Sequence, residues 1–101
     1  MTDTQNTTAP ASLVPEIRPE VWADLEQRYR KLEDTVRRYN PSANFQQIRA
    51  AFEFAAKAHG AQMRKDGSPF ITHPLAVAQI VAEELHLDSE SIEAALLHDT
   101  I

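Results

Sequence analysis

Six residues between Trp22 and Tyr39 constrain the fold more than anything else in this chain. Trp22, Leu25, Tyr29, Leu32, Val36 and Tyr39 are spaced 3, 4, 3, 4, 3. Only a helix gathers that spacing onto one side, because its turn takes about 3.6 residues. Pro19 suits the first turn, and Glu20 and Asp24 sit where the helix dipole favours anions. Asn40-Pro41 closes the segment, since a proline disfavours helical backbone in the residue before it. The stripe covers fewer than three heptads, which predicts a helix packed on a domain rather than a coiled coil.

Three further helices follow from the same reading. Over 45–59, Ile48, Phe52, Ala55 and His59 share a face, with Ser42 or Asn44 as cap and Gly60 as terminator. His59 therefore lies on an apolar face and reads as a core hydrogen-bonding residue rather than a ligand. Residues 61–72 form a loop with turn pairs at Asp66-Gly67 and Ser68-Pro69. A third helix is predicted over 74–85, with Pro74 first, His73 or Thr72 as cap, and Val77, Ile80, Val81 and Leu85 as its apolar side. Asp88 or Ser89 caps a fourth, in which Ile92, Ala95, Leu96 and Asp99 fall on one stripe, placing Asp99 beside the core. No strand alternation occurs anywhere. Residues 1–18, rich in Thr, Ala, Pro and Ser without periodicity, read as a disordered tail. The expectation is an all-α helical bundle of about four helices: tail 1–18, leading helix 19–40, body 42–101.

Charge and composition narrow the function classes. The 101 residues suffice for one small domain. A net charge of −5 argues against general nucleic-acid binding, which needs a basic footprint. Without cysteine there are neither disulfides nor thiolate metal sites. No signal-peptide pattern opens the chain, and no apolar run approaches the roughly 20 residues of a membrane span. The chain reads as cytoplasmic. All ten Lys and Arg residues fall at or before Lys65, while seven acidic residues and no basic ones follow it. An acidic half suits a cation site, and Arg64-Lys65 just before it suits an anionic substrate. The same pattern also describes a solvated acidic helix surface.

The chemistry-bearing residues are His73, His98 and Asp99. Adjacent residues on a helix point about 100° apart, so His98 and Asp99 can share an ion held close against it. An antiparallel helix pair can bring His73 opposite. Imidazole with carboxylate suits Mn²⁺, Fe²⁺ or Zn²⁺ better than Ca²⁺. By itself, the dipeptide equally describes a helix-end histidine beside an exposed carboxylate.

Linked motifs change that balance. They are Phe54-Ala55-Ala56-Lys57-Ala58-His59, Gln62-Met63-Arg64-Lys65-Asp66-Gly67-Ser68-Pro69-Phe70-Ile71-Thr72-His73-Pro74, Val77-Ala78-Gln79-Ile80-Val81-Ala82 and Ala94-Ala95-Leu96-Leu97-His98-Asp99-Thr100. In order and spacing they resemble the N-terminal hydrolase domain of the RelA/SpoT homologue family, the alarmone synthetase/hydrolases. The resemblance implies an all-helical HD-type domain that removes the 3′-pyrophosphate from guanosine tetra- and pentaphosphate with Mn²⁺. It implies that His73, His98 and Asp99 are three of four metal ligands. It also implies that Arg64 and Lys65 contact the guanine nucleotide, Arg64 against the base. The family's water-positioning Glu-Asp pair and its fourth ligand would fall after Ile101. The chain is thus expected to be the front part of such a domain, cut through its active site, and to hydrolyse nothing at a useful rate by itself. Two alternatives remain: an HD phosphohydrolase fragment for another nucleotide, or a non-catalytic fragment that self-associates through exposed apolar helix faces. His86, among acidic neighbours, is expected to be merely solvated, and the Trp22, Tyr29 and Tyr39 stripe to be packing.

Overall fold

The computed structural model describes residues 16–98 and Thr100. It holds four helices: α1 (Pro19–Tyr39), α2 (Phe45–His59), α3 (Thr72–Leu85) and α4 (Ser89–Leu97). Among the described residues the only strand-like feature is an isolated antiparallel bridge between Met63 and Pro69. The all-α expectation therefore holds. Most of the segment expected to be a disordered tail, 1–15, lies outside the described residues. Ile17, expected to stay out of the core, packs against it.

The helix ends follow the local chemistry. Asn44 Oδ1 accepts the Gln47 amide at 3.1 Å, so Asn44 and not Ser42 caps α2. Asp88 Oδ1 accepts the Ser91 amide at 2.9 Å and caps α4. Gly60 stops α2 at φ 57°, where a side chain would be strained. No glycine ends α3; His86 takes the left-handed turn at φ 51° and stacks on Tyr39 with ring centres 4.7 Å apart. It is thus more than a solvated surface residue. The Tyr39 hydroxyl donates to the Leu87 carbonyl at 2.6 Å and pins the end of α1 to the α3–α4 turn.

α3 begins two residues earlier than expected. The Thr72 amide and hydroxyl both donate to the Pro69 carbonyl, at 3.0 and 2.6 Å, so the chain is already turning helically there. Pro74 is the third helical residue, where its missing N–H would in any case have no partner within the helix. The buried face of α3 is also a correction. Pro74, Leu75, Ala78 and Ala82 face the core, while Ile80 and Leu85 are 58% and 62% exposed. α3 packs against both α1 and α4. Small side chains let backbones approach on two sides, so alanines occupy the face where larger residues were expected.

The core joins Leu25, Tyr29, Leu32 and Val36 of α1 to Ile48 and Phe52 of α2, with Ile92 and Leu96 of α4 beneath. The α1 stripe is buried at Leu25, Tyr29, Leu32 and Val36 as its spacing predicts, with Trp22 and Tyr39 at its ends partly buried. Phe52, fully buried, stacks on Tyr29 with centroids 4.8 Å apart and meets Trp22 edge-on at 6.2 Å. Above it, Arg49 grips Glu26 through both terminal nitrogens, at 2.5 and 2.9 Å, and reaches Glu53 with Nε at 2.9 Å. Its guanidinium lies 5.1 Å from the Tyr29 ring centre. This fork clamps α1 to α2.

The fork also makes stability pH-dependent. The Arg49 hydrogen bond holds the Glu26 carboxyl below its ordinary value of 4.5. A lowered folded-state pKa adds stability above the unfolded value, and that stability disappears as pH falls through the folded pKa. Thermal melts should therefore show a loss starting below about pH 4.5, flattened in Arg49→Met, which keeps the stem packing. Because Glu26 remains about a third exposed, solvent screening limits the effect to about 1 kcal/mol. Equal acid slopes in the two proteins would refute this role.

Candidate active site

Two structures hold the candidate residues: a cationic hairpin and a histidine pair. The hairpin grows out of the α2 terminus. Phe70 donates its amide to the Gln62 carbonyl and Arg64 to that of Ser68, each at 2.8 Å, while Gly67 donates to Arg64 at 2.9 Å. At its tip, Asp66 Oδ1 accepts from the Ser68 amide at 3.0 Å and the Ser68 hydroxyl at 2.6 Å. Those bonds, the hydroxyl's first, hold the exposed Asp66 carboxyl below its ordinary range. Gly67 sits at φ 88°, a turn that glycine makes without strain. The expected loop is therefore a defined turn, with Arg64 and Lys65 exposed near its tip. Met63, Arg64, Lys65, Asp66 and Phe70 line an open pocket of about 420 Å³ there.

His59 anchors the base of this hairpin. It is 6% exposed, as its place on the apolar face predicts. Its Nδ1 lies 3.3 Å from Gln62 Oε1, and its ring stacks on Phe70 with centroids 4.6 Å apart. Gln62 and Phe70 carry no chemical signature of their own, and spacing alone did not single them out.

The hairpin runs directly into the first turn of α3, where His73 donates its amide to the Phe70 carbonyl at 3.0 Å. His73 is half-buried there, and His98 follows the last residue of α4. α3 and α4 pack together. Their packing brings the two imidazoles to 5.6 Å between ring centres, with planes 62° apart. His98 Nδ1 lies 2.7 Å from the Ala95 carbonyl, which can only accept, so Nδ1 is the donor. Metal-ligating imidazoles commonly donate their other ring N–H to a carbonyl in this way. Metal–nitrogen bonds of about 2.0–2.1 Å place two ligating nitrogens about 3–3.5 Å apart, a separation that the ring spacing accommodates. Asp99 lies outside the described residues. Among the described residues no group of three His, Cys, Asp or Glu side chains converges on one point.

The HD domain family profile matches residues 51–101. A probable GTP pyrophosphokinase of Mycobacterium leprae (strain TN) is 51% identical over 63 residues, covering 62% of this chain and 8% of that protein. The GTP pyrophosphokinase rsh of Brucella ovis is 43% identical over 74 residues, covering 73% of this chain and 10% of its own length. The bifunctional (p)ppGpp synthase/hydrolase RelA of Mycobacterium tuberculosis is 49% identical over 61 residues, which are 60% of this chain and 8% of that protein. The chain thus spans at most about a tenth of the length of these relatives. None of the described helices is long and apolar enough to cross a membrane. With the profile matched across its hairpin and both histidines, this chain belongs to the HD domain family and has RelA/Rsh GTP pyrophosphokinases among its relatives.

Proposed function

We propose that this chain is the front part of a cytoplasmic, Mn²⁺-dependent HD hydrolase domain. Its reaction is the hydrolysis of guanosine 3′,5′-bis(diphosphate) to GDP and pyrophosphate. The observation that carries the reading is the pairing of His73 with His98 at 5.6 Å, directly downstream of the Arg64–Lys65 hairpin. His73, His98 and Asp99 would hold the ion. Bound there, the ion would polarise a phosphoryl oxygen and lower the pKa of an attacking water. Arg64 presents a guanidinium plane that can stack on guanine, which a lysine cannot do. Lys65 supplies a point charge for phosphate oxygens. Asp66, held in the turn by Ser68, lines the same pocket beside these cations.

Calorimetric titration of the chain with Mn²⁺ present tests this. Guanosine 3′,5′-bis(diphosphate) should bind at least tenfold more tightly than GDP, and Arg64→Ala should remove most of that preference. Equal affinity for the two nucleotides would sink the alarmone reading. A stronger preference for a nucleotide without a 3′-pyrophosphate would favour an HD phosphohydrolase of other specificity.

A further inference from the structure

The His59 imidazole has one nitrogen too many for its surroundings. Nε2 is buried and has no hydrogen-bond partner among the described residues. A buried polar atom without a partner is costly. A phenylalanine, though somewhat larger, would keep a ring on Phe70 and leave nothing unpaired. What the imidazole adds is its other nitrogen. Gln62 Oε1 accepts and cannot donate, so Nδ1 carries the proton and donates to it at 3.3 Å.

That bond reaches the hairpin at its root. The Gln62 amide donates to the His59 carbonyl at 3.1 Å, and the Gln62 carbonyl receives the Phe70 amide at 2.8 Å. Phe70, the far arm of the hairpin, lies against the same imidazole. One buried ring therefore touches both arms where they leave the helical body. Arg64 is two residues beyond Gln62, and the hairpin itself is exposed from Gln62 to Gly67. With so little burial of its own, the hairpin takes its direction from its base.

We propose that His59 is a positioning residue: by holding Gln62 with Nδ1–H and Phe70 with its ring face, it aims Arg64 and Lys65 at the nucleotide. This rests on the reading of the hairpin as the nucleotide-binding element. It separates two effects that normally travel together. His59→Phe removes the unpaired nitrogen and keeps the stack but adds ring volume at a buried site, two effects that oppose each other, so the melting temperature should change little. The hairpin should nevertheless loosen.

Two variants and two measurements test this. Amide hydrogen exchange at Arg64, Gly67 and Phe70 should accelerate several-fold in His59→Phe, while core amides of α1 such as those of Leu32 and Val36 stay as protected as before. Gln62→Leu removes the same bond from an exposed position and should produce the same acceleration without touching the core. Both variants should weaken binding of guanosine 3′,5′-bis(diphosphate) several-fold. Unchanged exchange at the hairpin in both variants would overturn the proposal, as would a loosened hairpin that binds the nucleotide as tightly as before. Wild-type protein that fails to bind the nucleotide at all would overturn the nucleotide role of the hairpin. The exchange data alone would then decide whether His59 orders it.

Discussion

Phe52→Ala is expected to cost about 3–5 kcal/mol, enough to unfold much of the protein at ambient temperature. Phe52 is fully buried where α1 and α2 meet, between the stacked ring of Tyr29 and the edge of Trp22. Truncation removes the transfer energy of a whole ring and leaves a cavity that two helices clamped by Arg49 and Glu26 cannot readily close. The comparison that isolates the mechanism lies two residues along the same helix. Phe54 is 62% exposed, and Phe54→Ala should change stability by no more than about 0.5 kcal/mol. Urea unfolding followed by helical circular dichroism measures both. A Phe52→Ala loss below about 1 kcal/mol would mean that the ring is not a keystone of the α1–α2 junction.

His98→Ala should lower Mn²⁺ affinity by at least tenfold, with a loss of similar size for His73→Ala. The two rings come together only because α3 and α4 pack, so in the proposed centre each would supply a donor that its own helix cannot replace. Removing either leaves too few donors for a transition-metal ion. His86→Ala is the control: it stacks on Tyr39 at the opposite end of α3 and should leave the affinity unchanged. Paramagnetic broadening of imidazole resonances on Mn²⁺ addition reports both the affinity and the residues involved. Broadening that spares His73 and His98, or binding that survives His98→Ala, would refute the proposed metal centre.

The helices and their ends were largely legible in the chain, and for local reasons. Asn44 and Asp88 cap through their own side chains, and Gly60 stops α2 because its backbone tolerates the required turn. The α1 stripe was equally readable, because one helix presenting one wide apolar face to one core obeys simple periodicity. α3 defeated the same logic. It packs on two partners, so hydrophobicity alone chose Ile80 and Leu85 where close approach required Ala78 and Ala82. Among the candidate ligands, His73 and His98 stood out in the chain by residue type and context. Gln62 and Phe70 did not, because their roles depend on backbone bonds and a ring stack that exist only once the hairpin is formed.

Sequence by itself determined that this chain is helical, where α1 and α2 begin and end, and which side chains are candidates for metal and phosphate binding. Those properties reside in single residues and their near neighbours along the chain. Tertiary structure alone decided which face of α3 is buried, that two imidazoles 25 positions apart stand ring to ring, and that His59 grips both arms of the cationic hairpin. The first two depend on the distance between helices, which is set by how the whole core packs, and the third on the hairpin being formed.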